Sequence, residues 1–101
     1  MANVFKNYTD TGITTESILL TGGVGVETTV IGMTIANVGA SEATIDIKLN
    51  GVYMLKGAPI FVGGAMVPIG GDQKVVIGNG DTLSVTSDVA VDVIVSVLEK
   101  S

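Results

Sequence analysis

The chain contains no cysteine, histidine, tryptophan or arginine. Without cysteine there is no disulfide staple, thiol nucleophile or thiolate metal site. Without histidine the usual imidazole base and the commonest zinc ligand are missing too. Five lysines against ten acidic residues leave a net charge of −5. That is the wrong sign for neutralising phosphate, so nucleic acid is not an expected partner. Charged residues of both signs make up only 15% of the chain, against about 25% in a typical soluble domain. Long apolar runs are absent as well, and none approaches the ~18–20 residues that a membrane-spanning helix needs. The opening MANVFKNYTDTG lacks the basic start and apolar core of a signal peptide. No membrane partner is expected.

What is present in excess is apolar side chain, 47% of 101 residues. A chain of this length is one domain and buries only roughly 60–70% of its unfolded surface. The surplus implies burial between copies of the chain or against a partner.

The stretch 71–99, GGDQKVVIGNGDTLSVTSDVAVDVIVSVLE, is the strongest core-forming piece. Its last strand alternates almost without a break. Val91, Val93, Val95 and Val97 fall on one side, with Asp92, Ile94, Ser96 and Leu98 on the other. Leu83 and Val85 join the valines as the expected centre of the core.

Upstream, residues 1–12 mix aromatic and polar types around Phe5 and Tyr8 and fit an N-terminal arm or an edge strand, with the main domain spanning 13–101. Residues 14–21 predict a strand, and Gly22, Gly23 and Gly25 a turn or bulge after it. GGVGVE lacks the G-x-G-x-x-G spacing of a phosphate loop, and no helical pattern follows it. Residues 27–38 predict a strand with Ile31, Met33 and Ile35 on one face. The cleanest local signal is Ala43–Leu49, then Asn50-Gly51, then 52–56. Asn-Gly between two alternating runs predicts a type I′ hairpin. Residues 56–71, KGAPIFVGGAMVPIGG, hold both prolines, which belong on edge strands or extended connections. Ile60, Phe61, Val62 and Met66 are too apolar for a solvated loop, so this segment is expected to cross between sheets or to contact another subunit. Strands at 73–77, 82–87 and 91–98 complete the set. With no helical period and a turn every eight to twelve residues or so, the fold class is all-β. The expected architecture is a single antiparallel β-sandwich, jelly-roll-like or Ig-like, of about seven or eight strands.

Chemistry-bearing groups are few. Asp46 and Asp92 lie on polar strand faces, while Asp72, Asp81 and Asp88 sit in or beside turns, where aspartate bonds nearby backbone. No spaced ligand set supports a cation site there. The serines and threonines have no histidine and no S-x-x-K lysine to activate them. No catalytic residue, cofactor or metal is expected. The residues expected to make contacts are instead Phe5, Tyr8, Ile60, Phe61, Val62, Met66, Ile94 and Leu98.

Ala58-Pro59-Ile60, residues 70–76 (GGDQKVV), 80–85 (GDTLSV) and 91–99 (VDVIVSVLE) resemble small β-rich virion structural proteins of tailed bacteriophages, cyanophages among them. The resemblance covers mainly residues 43–99, and residues 1–42 follow it only loosely. It implies a non-enzymatic, multicopy protein made in the bacterial cytoplasm and carried on the virion. Its implied partners are further copies of itself and other virion proteins, such as the major capsid protein or neck and tail proteins. A head cement or decoration role is preferred. A neck, collar, tail or baseplate component is the alternative, as is a carbohydrate- or receptor-binding module of a tail or fibre. The last would need exposed aromatics to stack on sugars, and Phe5, Tyr8, Tyr53 and Phe61 are the whole supply.

Overall fold

Alternating side chains sort the last strand, β9 (Val91–Lys100), into two faces. Its odd-numbered valines are buried, while Ile94 is exposed. A computed structural model, describing residues 3–69 and 75–100, extends this pattern across nine strands with no helix among the described residues. They are β1 (Asn3–Ile13), β2 (Glu16–Thr21), β3 (Glu27–Asn37), β4 (Ala43–Leu49) and β5 (Val52–Ile60), followed by β6 (Ala65–Ile69), β7 (Val75–Ile77), β8 (Thr82–Ser87) and β9. Two antiparallel sheets pack face to face. One runs β1-β9-β3-β6, with β7 also on β3, and the other runs β2-β8-β4-β5.

The pairings are nested: β1 with β9, β2 with β8, β3 with β6 and β7, and β4 with β5. The chain is thus one long hairpin rolled so that successive strands alternate between sheets, which is the jelly-roll arrangement. An Ig-like sandwich would keep its first two strands in one sheet; here β1 and β2 lie in different sheets. Strands β6 and β7 lie end to end along one edge of β3, so nine segments occupy eight positions.

The tip of the rolled hairpin is Asn50-Gly51, with φ of 52° and 81°. Positive φ at both central residues is the type I′ geometry that Asn-Gly predicts. From there β5 continues through Ala58, Pro59 and Ile60, and a turn carries the chain to β6 in the other sheet. The segment 56–69 therefore crosses between sheets as expected; Gln73 and Lys74, the expected start of the next strand, lie outside the described residues. Pro59 and Pro68 both fall on edge strands.

One expectation for β3 fails. Ile31 does not share a face with Met33 and Ile35. Val30 pairs Val97 and Gly32 pairs Ser96, so Ile31 is the extra residue of a β-bulge. A bulge reverses the parity beyond it, which buries Thr28 and Val30 on one side of the break and Met33 and Ile35 on the other.

The edges share a device. The register shifts in β1 after Asp10, in β2 between Ile18 and Leu20, in β5 on both sides of Leu55, and between β6 and β3. Bulges and prolines on edge strands break the regular row of amides and carbonyls that another strand would need. The sandwich is elongated, 45 × 22 × 22 Å, and its core runs between the sheets from Ile13, Val93 and Ile45 to Ile77, Val97 and Leu83.

Two polar fastenings close the ends. The buried Asn37 donates its side-chain amide to the Ser41 and Ile60 carbonyls, at 2.8 and 2.9 Å, and accepts from the Gly39 amide. At the other end, Gly22 lies so close to Gly78 that a Cβ would fall 1.8 Å from the Gly78 carbonyl oxygen. Gly22 also exchanges backbone bonds with Asp81 and Gly80 there. Close backbone approach, rather than ligand binding, accounts for this glycine.

Candidate interaction surface

The outward face of the first sheet is defined by cross-strand pairs. Along β9, Ile94 faces Thr9 on one side and Thr34 on the other, Ser96 faces Asn7 and Gly32, and Leu98 faces Phe5 and Thr29. Phe5 is 74% exposed and Ile94 49%. Val67 on β6 and Val76 on β7 extend the apolar surface across the far edge. Two shallow depressions lie on this face, one lined by Phe5, Asn7, Ile31 and Ser96 and one by Thr9, Thr11, Asp92 and Ile94. Ser96 donates to the Asn7 side-chain oxygen at 2.9 Å, so these polar groups are partly satisfied within the sheet.

Among the described residues the outward-pointing charges stand at the ends of this face, while Lys6 and Asp10 line its two depressions from the rim. Asp92 stands at one end, and Glu27 faces Lys100 at the other. Asp92 accepts from the Thr11 hydroxyl at 2.6 Å and from the Gly12 amide at 3.0 Å. Those two bonds, the hydroxyl's first, hold its carboxyl below the usual aspartate value. Lys6, Tyr8 and Glu99 belong to the inward-turning series and meet at the rim. The Tyr8 hydroxyl donates to the Glu99 carboxylate, and the Lys6 ammonium lies 3.2 Å from it. The tyrosine bond and the lysine lower the pKa of Glu99. The same bond, with burial and the carboxylate's charge, raises that of Tyr8.

The residues expected to make contacts separate into groups. Phe5, Ile94 and Leu98 share the outward face just described. Tyr8 turns inward to pack against the core. Met66 is half-buried beside Ile35. Phe61 and Val62 project from the turn between β5 and β6 at one end of the sandwich, with Phe61 75% exposed. Ile60 is a core residue, 3% exposed, because the bulges in β5 turn it inward. The structure adds Ile31, Val67 and Val76 to the surface. Alternation within Val75-Val76-Ile77 is a signal for Val76, whereas no local pattern announces the bulge that turns Ile31 out.

The candidate cation ligands have structural tasks. Asp81 accepts from the Gly78 amide at 3.1 Å, closing its own turn. Asp88 accepts from the Thr44 amide at 2.8 Å, and Asp46 from the Gly57 amide at 2.7 Å beside a β5 bulge. Asp10 takes the Thr11 amide and the Ser17 hydroxyl. Every described aspartate thus bonds a backbone amide. No group of three or more potential metal ligands occurs among the described residues; Asp72 lies outside them.

The outward face of the second sheet is different. It carries Glu16, Asp46, Lys48 and Tyr53 among serines and threonines, with Ile18 as an exposed apolar residue. Lys48 and Lys56 each place their ammonium 4.9 Å from the centre of the Tyr53 ring, and Lys48 also lies 3.9 Å from Glu16. Comparison of the chain with protein-family models, with curated proteins and with solved structures returned no match.

Proposed function

We propose that the chain is a non-enzymatic, multicopy structural component of a tailed-phage virion. In this reading it stabilises the particle through contacts with further copies of itself and with capsid proteins, as a cement or decoration protein on the head surface. The observation that supports it most is the outward face of the first sheet. That surface exposes Phe5 and Ile94 among small polar residues, and its outward-pointing charges lie at its ends among the described residues. Each described aspartate is committed to a backbone bond, in keeping with carboxylates that hold turns and bulges. A jelly roll is also an architecture that capsid proteins use, and the resemblance of residues 43–99 points the same way.

The test is mass spectrometry of purified particles whose genome carries this gene, followed by locating the protein's density in a particle reconstruction. Stoichiometric presence with density on the head surface is the expected result. Density at the neck or tail would replace the cement role with the alternative one. Absence from the particle would overturn the virion role altogether.

A further inference from the structure

We propose that the outward face of the β1-β9-β3-β6 sheet docks a second copy of this chain, face to face, around a two-fold axis that crosses β9 near Ser96. The inference rests on the assembly reading above and names the first partner of that surface.

Size is the first support. The sandwich presents a face of 45 × 22 Å, a projected area of about 1,000 Å², whereas a stable specific interface takes about 800 Å² from each partner. The second support is the state of the edges. Bulges and prolines interrupt β2, β5 and β6, which disfavours strand pairing there; β1 keeps a regular register over Asn3–Asp10. For packing through a face, the two faces differ. The second sheet surrounds its exposed Ile18 with Glu16, Asp46 and Lys48, whereas the first offers Phe5, Ile94 and Leu98 among small polar residues.

Charge then selects the orientation. Two copies can stack about an axis along the strands or about one across them. An axis along the strands places the Asp92 end of one copy over the same end of the other. The Thr11 and Gly12 bonds favour the ionised form of Asp92, so this arrangement gathers like charge. An axis across the strands separates the two Asp92 carboxylates and places each over the end where Glu27 and Lys100 offset each other. It lays β9 over the partner's β9 in the opposite direction, with Ser96 near its own copy and Ile94 toward the partner's Leu98. Ser96 and Gly32 are small, which allows close approach on the axis; Ile94 and Leu98 flank it as anchors. Isologous contacts of this kind close on themselves and do not propagate into fibres.

The experiment uses the full chain, which has no cysteine of its own. Light scattering of the parent at micromolar concentration is expected to give twice the mass of one chain. Ile94→Asp is expected to give the single-chain mass with an unchanged circular dichroism spectrum, its dissociation constant raised on the order of 100-fold. Ser96→Cys treated with a short bifunctional maleimide is expected to give a covalent dimer, and Thr86→Cys on the opposite sheet none. A monomeric parent would overturn the second copy as occupant. If particle mass spectrometry still finds the protein, the virion reading stands and another virion protein covers the face. A dimer that survives Ile94→Asp, or one that Ser96→Cys does not link, would overturn this face or this axis.

Discussion

On the outward side of the first sheet, Phe5, Ile94, Leu98, Val67 and Val76 stand among threonine, serine, asparagine and glycine. The outward side of the second sheet carries Glu16, Asp46, Lys48 and Tyr53 around the exposed Ile18. The inward sides of both are alike, packed with valine, isoleucine and leucine. Folding demands only the inward pattern, because a jelly roll needs each sheet to bury one face. The outward sides are therefore where a requirement beyond folding can be read. A protein with only 15% charged residues has placed several of them on one sheet and spared the centre of the other. Such an asymmetry keeps one face well solvated and leaves exposed apolar side chains on the other.

The sharpest break in this comparison is within β9 itself. Val95 is fully buried and its neighbour Ile94 is 49% exposed. Val95→Asp would put an unpaired carboxyl in the core and is expected to cost more than about 4 kcal/mol, enough to prevent folding. Ile94→Asp should change the stability of the single chain by no more than about 0.5 kcal/mol. Chemical denaturation at low protein concentration measures both, and comparable losses would mean that Ile94 belongs to the fold rather than to a surface. The next effect concerns concentration. If the first sheet's face is covered by a second copy, the parent's Tm should rise by several degrees as protein concentration increases a hundredfold. The matching change on the second sheet, Ile18→Asp at a residue 61% exposed, should keep that dependence, whereas Ile94→Asp should abolish it. Scanning calorimetry across a dilution series separates the two.

Much of this was legible in the sequence. Alternation in 43–49 and 91–98, with Asn-Gly at the hairpin tip, places the strands and the core valines directly, since a period of two is what a strand buried on one face produces. The same alternation marks Ile94 and Leu98 as outward. Two kinds of information were not local. Strand order was one: the nested pairing of β1 with β9 joins residues almost a chain length apart, and nothing near either strand distinguishes a jelly roll from an Ig-like sandwich. Bulges were the other. A single inserted residue reverses parity, so Ile31, expected on one face with Met33 and Ile35, turns outward, and Ile60, expected to make contacts, is core. Asn37 falls near the end of the predicted strand 27–38, but its bond to the Ile60 carbonyl depends on a crossing that sequence does not register.

A smaller effect attaches the edge strand of the first sheet. The folded-state pKa of Glu99 is depressed by the Tyr8 hydroxyl and by Lys6. Its contribution is therefore present above the ordinary glutamate value of 4.5 and is lost as pH falls through the lower folded value. Tyr8 shifts the other way. Its contribution is complete below the ordinary value of 10.0 and disappears as pH rises through the higher folded value. Tyr8→Phe removes the shared hydrogen bond, so stability should fall most between pH 4.5 and pH 10, where the bond is complete in the parent, and the two profiles should converge outside that window. A Tm profile from acid to alkali checks this, and a variant that matches the parent inside that window would show that the bond is not stabilising in solution.

The smallest effect tests the second sheet. Tyr53 is flanked by Lys48 and Lys56, and exposed pairs of this type contribute about 0.5–1 kcal/mol each at most. Tyr53→Leu keeps an apolar side chain at the edge while removing the ring quadrupole, and is expected to cost about 1 kcal/mol, a Tm shift of about 4–8 °C in a domain of this size. The Lys48–Glu16 pair, at 3.9 Å and partly solvated, adds little. Because the contribution is electrostatic and exposed, sodium chloride should shrink the difference between parent and Tyr53→Leu. The first sheet should respond in the opposite sense to sulfate, which strengthens apolar burial and so should tighten self-association through the Ile94 face. One protein, two salts and two readouts then set the faces against each other: thermal stability for Tyr53, mass by light scattering for Ile94. If chloride left the Tyr53 difference intact while sulfate dissociated the dimer, each face would have been assigned the wrong physics.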